Sequence, residues 1–179
     1  MREWWIPRKP DEVAAQPYLH PAVAGYLESL LHTSYSVLEH GSGGSTLWLS
    51  KYVNRVVSVE NDPVWYTKVK ELVSDNVTIF LQVFSSIPKG VVGPFDLMLI
   101  DGNPVENRGM YLNEAINLVR KGGIVILDNA NRPEYAVERR ALQRKCKHFI
   151  TLDVNPPGHN YCVTEFYRLP GGTNAESWI

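Results

Sequence analysis

Cysteine is scarce in this chain, and neither of its two copies suggests a scaffold. Cys146 and Cys162 stand far apart with no metal-type spacing, which predicts two reduced thiols rather than a disulfide framework or a zinc module. Apolar runs long enough to cross a bilayer are missing, and so is the apolar core of a signal peptide after Met1-Arg2-Glu3-Trp4-Trp5-Ile6-Pro7. No charge of either sign predominates. Lys and Arg total 18 against 19 Asp and Glu, a formal net charge of −1 that predicts no general attraction to nucleic acid or to an anionic membrane. There is no internal repeat and no low-complexity segment. The expectation is a cytoplasmic, soluble single domain, its 179 residues, 44% hydrophobic, being enough to bury a sizeable core.

One further absence helps to identify a ligand. Ser36-Val37-Leu38-Glu39-His40-Gly41-Ser42-Gly43-Gly44-Ser45-Thr46 reads as a buried strand, a glycine turn and the start of a helix. Glycines let the backbone approach a ligand closely, and a helix start offers unpaired N–H donors. A dinucleotide fingerprint requires a third glycine for helix packing, and Thr46 stands in its place. Glu39 before the turn would repel a pyrophosphate and suit a cation. Val56-Val57-Ser58-Val59-Glu60 is a second strand ending in an acid, placed to accept hydrogen bonds from both hydroxyls of a ribose. Two acids around a glycine turn favour adenosine carrying an amino-acid sulfonium. A nicotinamide-dependent oxidoreductase is the competing reading that Thr46 and Glu39 oppose.

Around this turn the chain alternates strand and helix. Strands are predicted at Ser36–Glu39, Arg55–Glu60, Val77–Gln82, Phe95–Asp101, Gly123–Asp128, Phe149–Val154 and Tyr161–Arg168. Helices are predicted from Pro21 after His20, and at Ser45–Tyr52, Pro63–Ser74, Arg108–Arg120 and Pro133–Lys145. Continuous apolar runs in the fourth and fifth strands imply burial on both faces of a parallel sheet. The short turn Asn155–Asn160 makes the last two strands antiparallel, because parallel strands need a long crossover. The fold class is therefore α/β, a doubly wound, mostly parallel seven-stranded sheet with a reversed terminal hairpin. Residues 1–20 form an arm with Trp4 and Trp5 that covers the ligand or plugs the edge of the core. Residues 21–170 form the domain, and 171–179 a polar tail. In such sheets ligands lie at the carboxyl ends of the strands.

VLEHGSGGSTLWL, VVSVENDPVWY, FDLMLIDG and GGIVILDN, in that order, resemble the class I S-adenosylmethionine (SAM)-dependent methyltransferases over about Tyr35 to Arg168. The resemblance implies that Glu39 and Gly41 line the methionine end of the cofactor and that Glu60 holds the ribose. It extends cofactor contact to Ser42, Gly43, Ser45, Thr46, Asn61 and Asp101. It also implies an acid after the third strand for the adenine amino group, where Phe80-Leu81-Gln82-Val83-Phe84-Ser85 has none, leaving Gln82 or Ser85 as substitutes. Trp65 and Tyr66 are read as one core residue and one cofactor edge, and His40 as turn packing or a cofactor contact.

Asp101-Gly102-Asn103 and Asp128-Asn129 close the fourth and fifth strands. The layout resembles metal-dependent O-methyltransferases of the catechol and caffeoyl-CoA type. By that likeness Asp101, Asp128 and Asn129 would hold Mg²⁺ or another divalent cation, which would orient a small-molecule acceptor and activate its oxygen. IDGNPVENRG and ILDNANRPEY also resemble small bacterial methyltransferases in which arginines matching Arg108 and Arg132 recur beside the acids. Arg132 would then pair with Asp128, leaving no metal site, or these arginines would bind an anionic substrate group. Asp101, Asp128 and His159 are the candidate catalytic residues, His159 as a base on the last turn. Asn155-Pro156-Pro157-Gly158 resembles the signature of base-methylating enzymes, but it sits after the wrong strand and lacks the stacking aromatic, so no nucleic-acid partner is predicted. The functional expectation is O-methylation of a small molecule by in-line transfer. A non-catalytic SAM-binding or partner-binding module is the alternative.

Overall fold

The structure, a computed structural model, describes residues 13–82, 87–154 and 162–171. Seven strands form one sheet in the order β3-β2-β1-β4-β5-β7-β6: β1 Ser36–His40, β2 Arg55–Glu60, β3 Val77–Leu81, β4 Phe95–Ile100, β5 Val119–Leu127, β6 His148–Val154 and β7 Cys162–Arg168. The first five pair in parallel. β7 runs antiparallel to both β5 and β6, which is the reversed terminal hairpin expected from the short connection.

Alternation along the central strands divides the core into two layers. Leu97 and Leu99 of β4 and Ile124 and Ile126 of β5 face α1 (Pro21–Leu30) and α2 (Gly44–Leu49), meeting Val23, Leu27, Trp48 and Leu49. Met98, Ile100, Val125 and Leu127 point the other way, to Tyr111, Leu112 and Ala115 of α4 (Asn107–Leu118) and Leu142 of α5 (Ala136–Lys145). Burial on both faces accounts for the unbroken apolar runs in sequence. α1 starts as its sequence predicts, with Pro21 at its first position and the His20 Nδ1 accepting from the Ala22 N–H at 3.2 Å.

Several boundaries moved: α2 ends at Leu49 instead of Tyr52, and α4 at Leu118 instead of Arg120. α3 (Pro63–Lys70) stops one turn short of Ser74, and β5 begins at Val119, four residues before Gly123, where the pairing with β4 shifts register between Phe95 and Leu97. The chain bulges before Gly123, with Gly122 at φ +72°, and a Cβ at Gly123 would lie 2.5 Å from Val119 Cγ1. The predicted fifth helix divides into a single 3₁₀ turn, Pro133–Tyr135, followed by α5. Both cysteines are unpaired and half-buried. Among the described residues no helix is long and apolar enough to cross a membrane.

The carboxyl ends of β1, β2, β4 and β5 finish level. The ladder runs one bond past each strand: Gly41 N–H to Val59 O at 2.9 Å, Asp101 N–H to His40 O at 3.1 Å, and Asp128 N–H to Ile100 O at 3.1 Å. Glu60, Asp101 and Asp128 therefore arrive along one edge of the sheet.

Candidate active site

The glycine turn is held from below by hydroxyls. The Gly43 N–H donates to Thr46 Oγ1 at 2.8 Å, and that hydroxyl donates to Glu39 Oε2 at 2.5 Å. Ser58 Oγ donates to the same carboxylate oxygen at 2.8 Å, and Ser42 Oγ lies 2.7 Å from Ser58 Oγ. Thr46 thus uses the place of a third glycine to tie the turn to the strand beneath it. From above, Trp65 Nε1 donates to Ser42 O at 2.7 Å, with its ring against Gly43. Glu60 fastens the far side: Oε2 accepts from the Ser42 N–H and Oε1 from the Asn61 and Asp62 N–H groups, each at 2.9 Å.

Over this turn lies a cleft of about 440 Å³, within the size range of small-molecule sites. Gly41, Ser42, Gly43, Ser45, Glu60, Asn61 and Asp101 line it, as do Gly44, Asp62, Trp65, Gly102, Asn103 and Tyr18. Its ionisable lining, among the described residues, is acidic throughout (Glu60, Asp62 and Asp101), which suits a cationic ligand. One wall depends on two glycines. Gly41 has φ +96°, and a Cβ on it would sit 2.4 Å from Gly102 Cα, so the turns after β1 and β4 touch backbone to backbone.

Glu39 and Thr46 are fully buried beneath the turn and do not line the cleft. Burial pushes the Glu39 carboxyl up to about 7, against the pull of its hydroxyl partners, and Oε1 has no hydrogen-bond partner among the described residues. An acid whose pKa is raised by folding lends stability that is fully present below its unfolded value near 4.5 and is lost as pH rises through about 7. Above that, the buried charge costs roughly 3 kcal/mol. Glu39→Gln keeps an acceptor for both hydroxyls. It is therefore expected to melt above the wild type in ligand-free protein at about pH 8, with the gap closing toward about pH 5. Equal gaps at both pH values, read by circular dichroism melts, would show that Glu39 does not titrate in this range.

His40 is also buried. It stacks on Tyr111 with ring centroids 4.0 Å apart, and burial together with nearby Arg108 pushes it down to about 3, so it is a neutral packing residue. Trp65 takes the cleft-edge position of the aromatic pair. Tyr66 is not in the core, as its hydroxyl accepts from Lys70 Nζ at 2.8 Å on the surface. Gln82 borders a small polar cavity with His40, Asn61 and Tyr111.

The strand-end acids meet an arginine. Arg108 is 2% exposed. Its Nε donates to Gly102 O at 2.9 Å, Nη1 to Asp128 O at 2.6 Å and Asn129 Oδ1 at 3.3 Å, and Nη2 to Asp101 O at 2.6 Å and Asp101 Oδ1 at 3.2 Å. Burial and the adjacent Asp128 hold the Asp101 carboxyl well above the usual carboxylate range, with Arg108 opposing. Asp128 Oδ1 accepts from Thr164 Oγ1 at 2.7 Å and faces Cys162 Sγ at 3.5 Å, and the Asn129 amide donates to that sulfur at 3.2 Å.

This arrangement does not fit Mg²⁺ or another divalent cation on Asp101, Asp128 and Asn129. A hard cation needs their oxygens turned to a shared point, and a guanidinium already collects Asp101 Oδ1 and Asn129 Oδ1. Among the described residues no group of three His, Cys, Asp or Glu side chains is placed to hold a metal. The expectation that Arg108 binds an anionic substrate is corrected for the same reason, since all five N–H directions are taken within the protein. Arg132 is exposed on the turn after β5, and no Arg132–Asp128 ion pair occurs among the described contacts. Of the candidate catalytic residues, Asp101 faces the cleft, Asp128 is 5% exposed behind it, and His159 lies outside the described residues.

A parallel sheet with a reversed hairpin, a glycine turn after β1 and an acid ending β2 define the class I methyltransferase architecture. The profile of the methyltransferase domain family matches residues 38–130, just over half of the chain, and the chain belongs to that family of SAM-dependent enzymes. Over 108 residues the sequence is 34% identical to catechol O-methyltransferase of Mycobacterium tuberculosis, covering 54% of this chain and 48% of that protein. The chain thus spans about half the length of this relative. Among solved structures it is similar to an rRNA methylase from Streptococcus thermophilus, with a TM-score of 0.65 and 14% identity over 86% of this chain and 99% of that one. It is also similar to the N-methyltransferase NodS of Bradyrhizobium japonicum in complex with S-adenosylhomocysteine, with a TM-score of 0.57 and 12% identity over 76% and 79%. At such identities the likeness is one of fold.

Proposed function

We propose that this chain binds SAM in the cleft over the Gly41–Gly44 turn and methylates an oxygen of a small-molecule acceptor. The observation that carries the reading is the cleft itself: a glycine turn free of side-chain bulk, rimmed by Glu60 and Asp101, with no basic residue in its described lining. When bound there, SAM supplies an electrophilic methyl group on a positive sulfonium.

The residues divide the work as follows. Glu60 Oε1 is taken by the Asn61 and Asp62 N–H groups and the Asn61 amide, whereas Oε2 accepts only from the Ser42 N–H and keeps a lone pair for a ribose hydroxyl. Trp65 closes the side of the cleft, and Asp101 presents its carboxyl oxygens toward the amino-acid end. Rate acceleration comes mainly from holding acceptor and methyl group in line and in contact. Oxygen as the acceptor atom draws support from the name of the catechol O-methyltransferase relative, and small size from the acidic lining, which opposes a polyphosphate chain. Tyr18 on the cleft rim supports a role for the N-terminal arm over the site, with residues 21–170 as the catalytic unit.

Calorimetric titration with S-adenosylhomocysteine, using NAD as the control ligand, tests this reading. Binding of the first and not the second is expected, followed by methyl transfer from labelled SAM in a screen of hydroxyl-bearing acceptors. No nucleoside binding, or binding of NAD in its place, would overturn it.

A further inference from the structure

We propose that the Arg108 guanidinium is the resident cation of this site, a positioning residue that holds the Asp101 carboxylate against the cleft, and that methyl transfer here needs no divalent metal. The inference rests on the methyltransferase reading and narrows its acceptor class.

Arg108 stands at the second position of α4 and reaches back under the strand ends, where five acceptors surround it at 2.6 to 3.3 Å. Two acceptors are the side chains of Asp101 and Asn129, and three are the carbonyls of Asp101, Gly102 and Asp128. The planar fork joins the ends of β4 and β5, and its contact with Asp101 Oδ1 sets which way that carboxylate faces the cleft. A divalent ion on the same oxygens would have to displace a buried guanidinium or sit beside it, and like charges at such distances repel strongly. Asp128 offers no way round this, because its Oδ1 is already taken by Thr164 and Cys162 and its carboxyl lies against that of Asp101, which the guanidinium holds.

The consequence concerns the acceptor. Chelation of two neighbouring oxygens requires an ion with open positions, and Arg108 has no donor left to imitate one. The acceptor is therefore recognised as a single nucleophilic hydroxyl and not as a chelating vicinal diol.

The test has two arms. In the first, Mn²⁺ is titrated into the purified full chain, without nucleoside, and followed by electron paramagnetic resonance. No saturable binding tighter than about millimolar is expected. Stoichiometric uptake that Asp128→Asn abolishes overturns the proposal. In the second, the affinity for S-adenosylhomocysteine is measured for the wild type, Arg108→Lys, Asp101→Asn and the double variant, with folding checked by circular dichroism.

Arg108→Lys is expected to weaken binding about tenfold, and to change it by less than about twofold once Asp101 is already Asn. Equal losses in both backgrounds would assign Arg108 to the scaffold alone and overturn the positioning role. Should Arg108→Lys not fold, Asn129→Ala, which removes one of the five acceptors, takes its place in the cycle. If the wild type binds no nucleoside, the methyltransferase reading fails, while the Mn²⁺ arm still decides the identity of the cation. Acceptor profiling completes the test: vicinal diols turned over in preference to their single-hydroxyl analogues would overturn the acceptor class.

Discussion

Gly102→Ala is expected to abolish measurable nucleoside binding and to lower stability by about 2 to 3 kcal/mol, although it adds only a methyl group. The new Cβ would lie 2.8 Å from Gly41 N and 2.9 Å from both Gly41 Cα and His40 C. All three neighbours are backbone, so no rotamer change can make room, and the turns after β1 and β4 must part by about half an ångström. Those turns form one wall of the cleft, and the same movement shifts Asp101 and the Ser42 amide that Glu60 holds. A displacement on that scale removes binding contacts together, and a loss of about a hundredfold or more in affinity is expected. Gly25→Ala serves as the control. It lies in α1 with nothing within 4 Å of a new Cβ, and it is expected to be neutral or to stabilise by up to about 1 kcal/mol. Paired thermal melts and calorimetric titrations of the two variants decide the matter. A Gly102→Ala protein that binds normally would mean that the two turns do not need their close approach.

What could be read in the sequence depended on how local the signal was. The strands, their mostly parallel order and the reversed hairpin follow from hydrophobic patterning and connection length, and both are local. Glu60 and Asp101 were recognisable as cleft residues because strand ends on one edge of a parallel sheet face the same side. Glu39 fits the same rule but lies under the turn, because the hydroxyls of Ser58 on the neighbouring strand and Thr46 on α2 draw its carboxyl inward, and a partner across the sheet leaves no mark in a linear pattern. The need for glycine at 102 is invisible in its own motif, since it comes from the backbone of Gly41, sixty-one residues earlier. In sequence, Arg108 stands out by its place beside the acids, and that place alone points it outward to substrate. Its direction is set by the sharp return of the chain from β4 into α4, which brings the guanidinium back beneath the acids it follows. His159, Val83–Ser85 and the arm and tail residues 1–12 and 172–179 lie outside the described residues.

Glu60→Gln is expected to cost at least about a hundredfold in affinity for S-adenosylhomocysteine, for two separable reasons. Within the protein, the carboxylate accepts on both oxygens, from Ser42 on one and from Asn61 and Asp62 on the other. A glutamine can keep its oxygen toward only one of those groups, and its NH₂ then opposes a backbone donor. A buried donor left unsatisfied costs about 1 to 3 kcal/mol, which also lowers the melting temperature. Toward the ligand, the same carboxylate is the acceptor proposed for the ribose. Comparing adenosine with 2′-deoxyadenosine in wild type and variant separates the two effects. If Glu60 holds the ribose, the wild type prefers the ribonucleoside by about tenfold, and Glu60→Gln collapses that preference while weakening both ligands. If Glu60 only shapes the turn, both ligands weaken equally and the preference survives. That second outcome would keep Glu60 as the clasp on the Ser42–Asp62 backbone and move ribose recognition to a neighbour on the same rim, with Asp62, exposed and already bonded to the Val64 and Trp65 N–H groups, the next acid to replace.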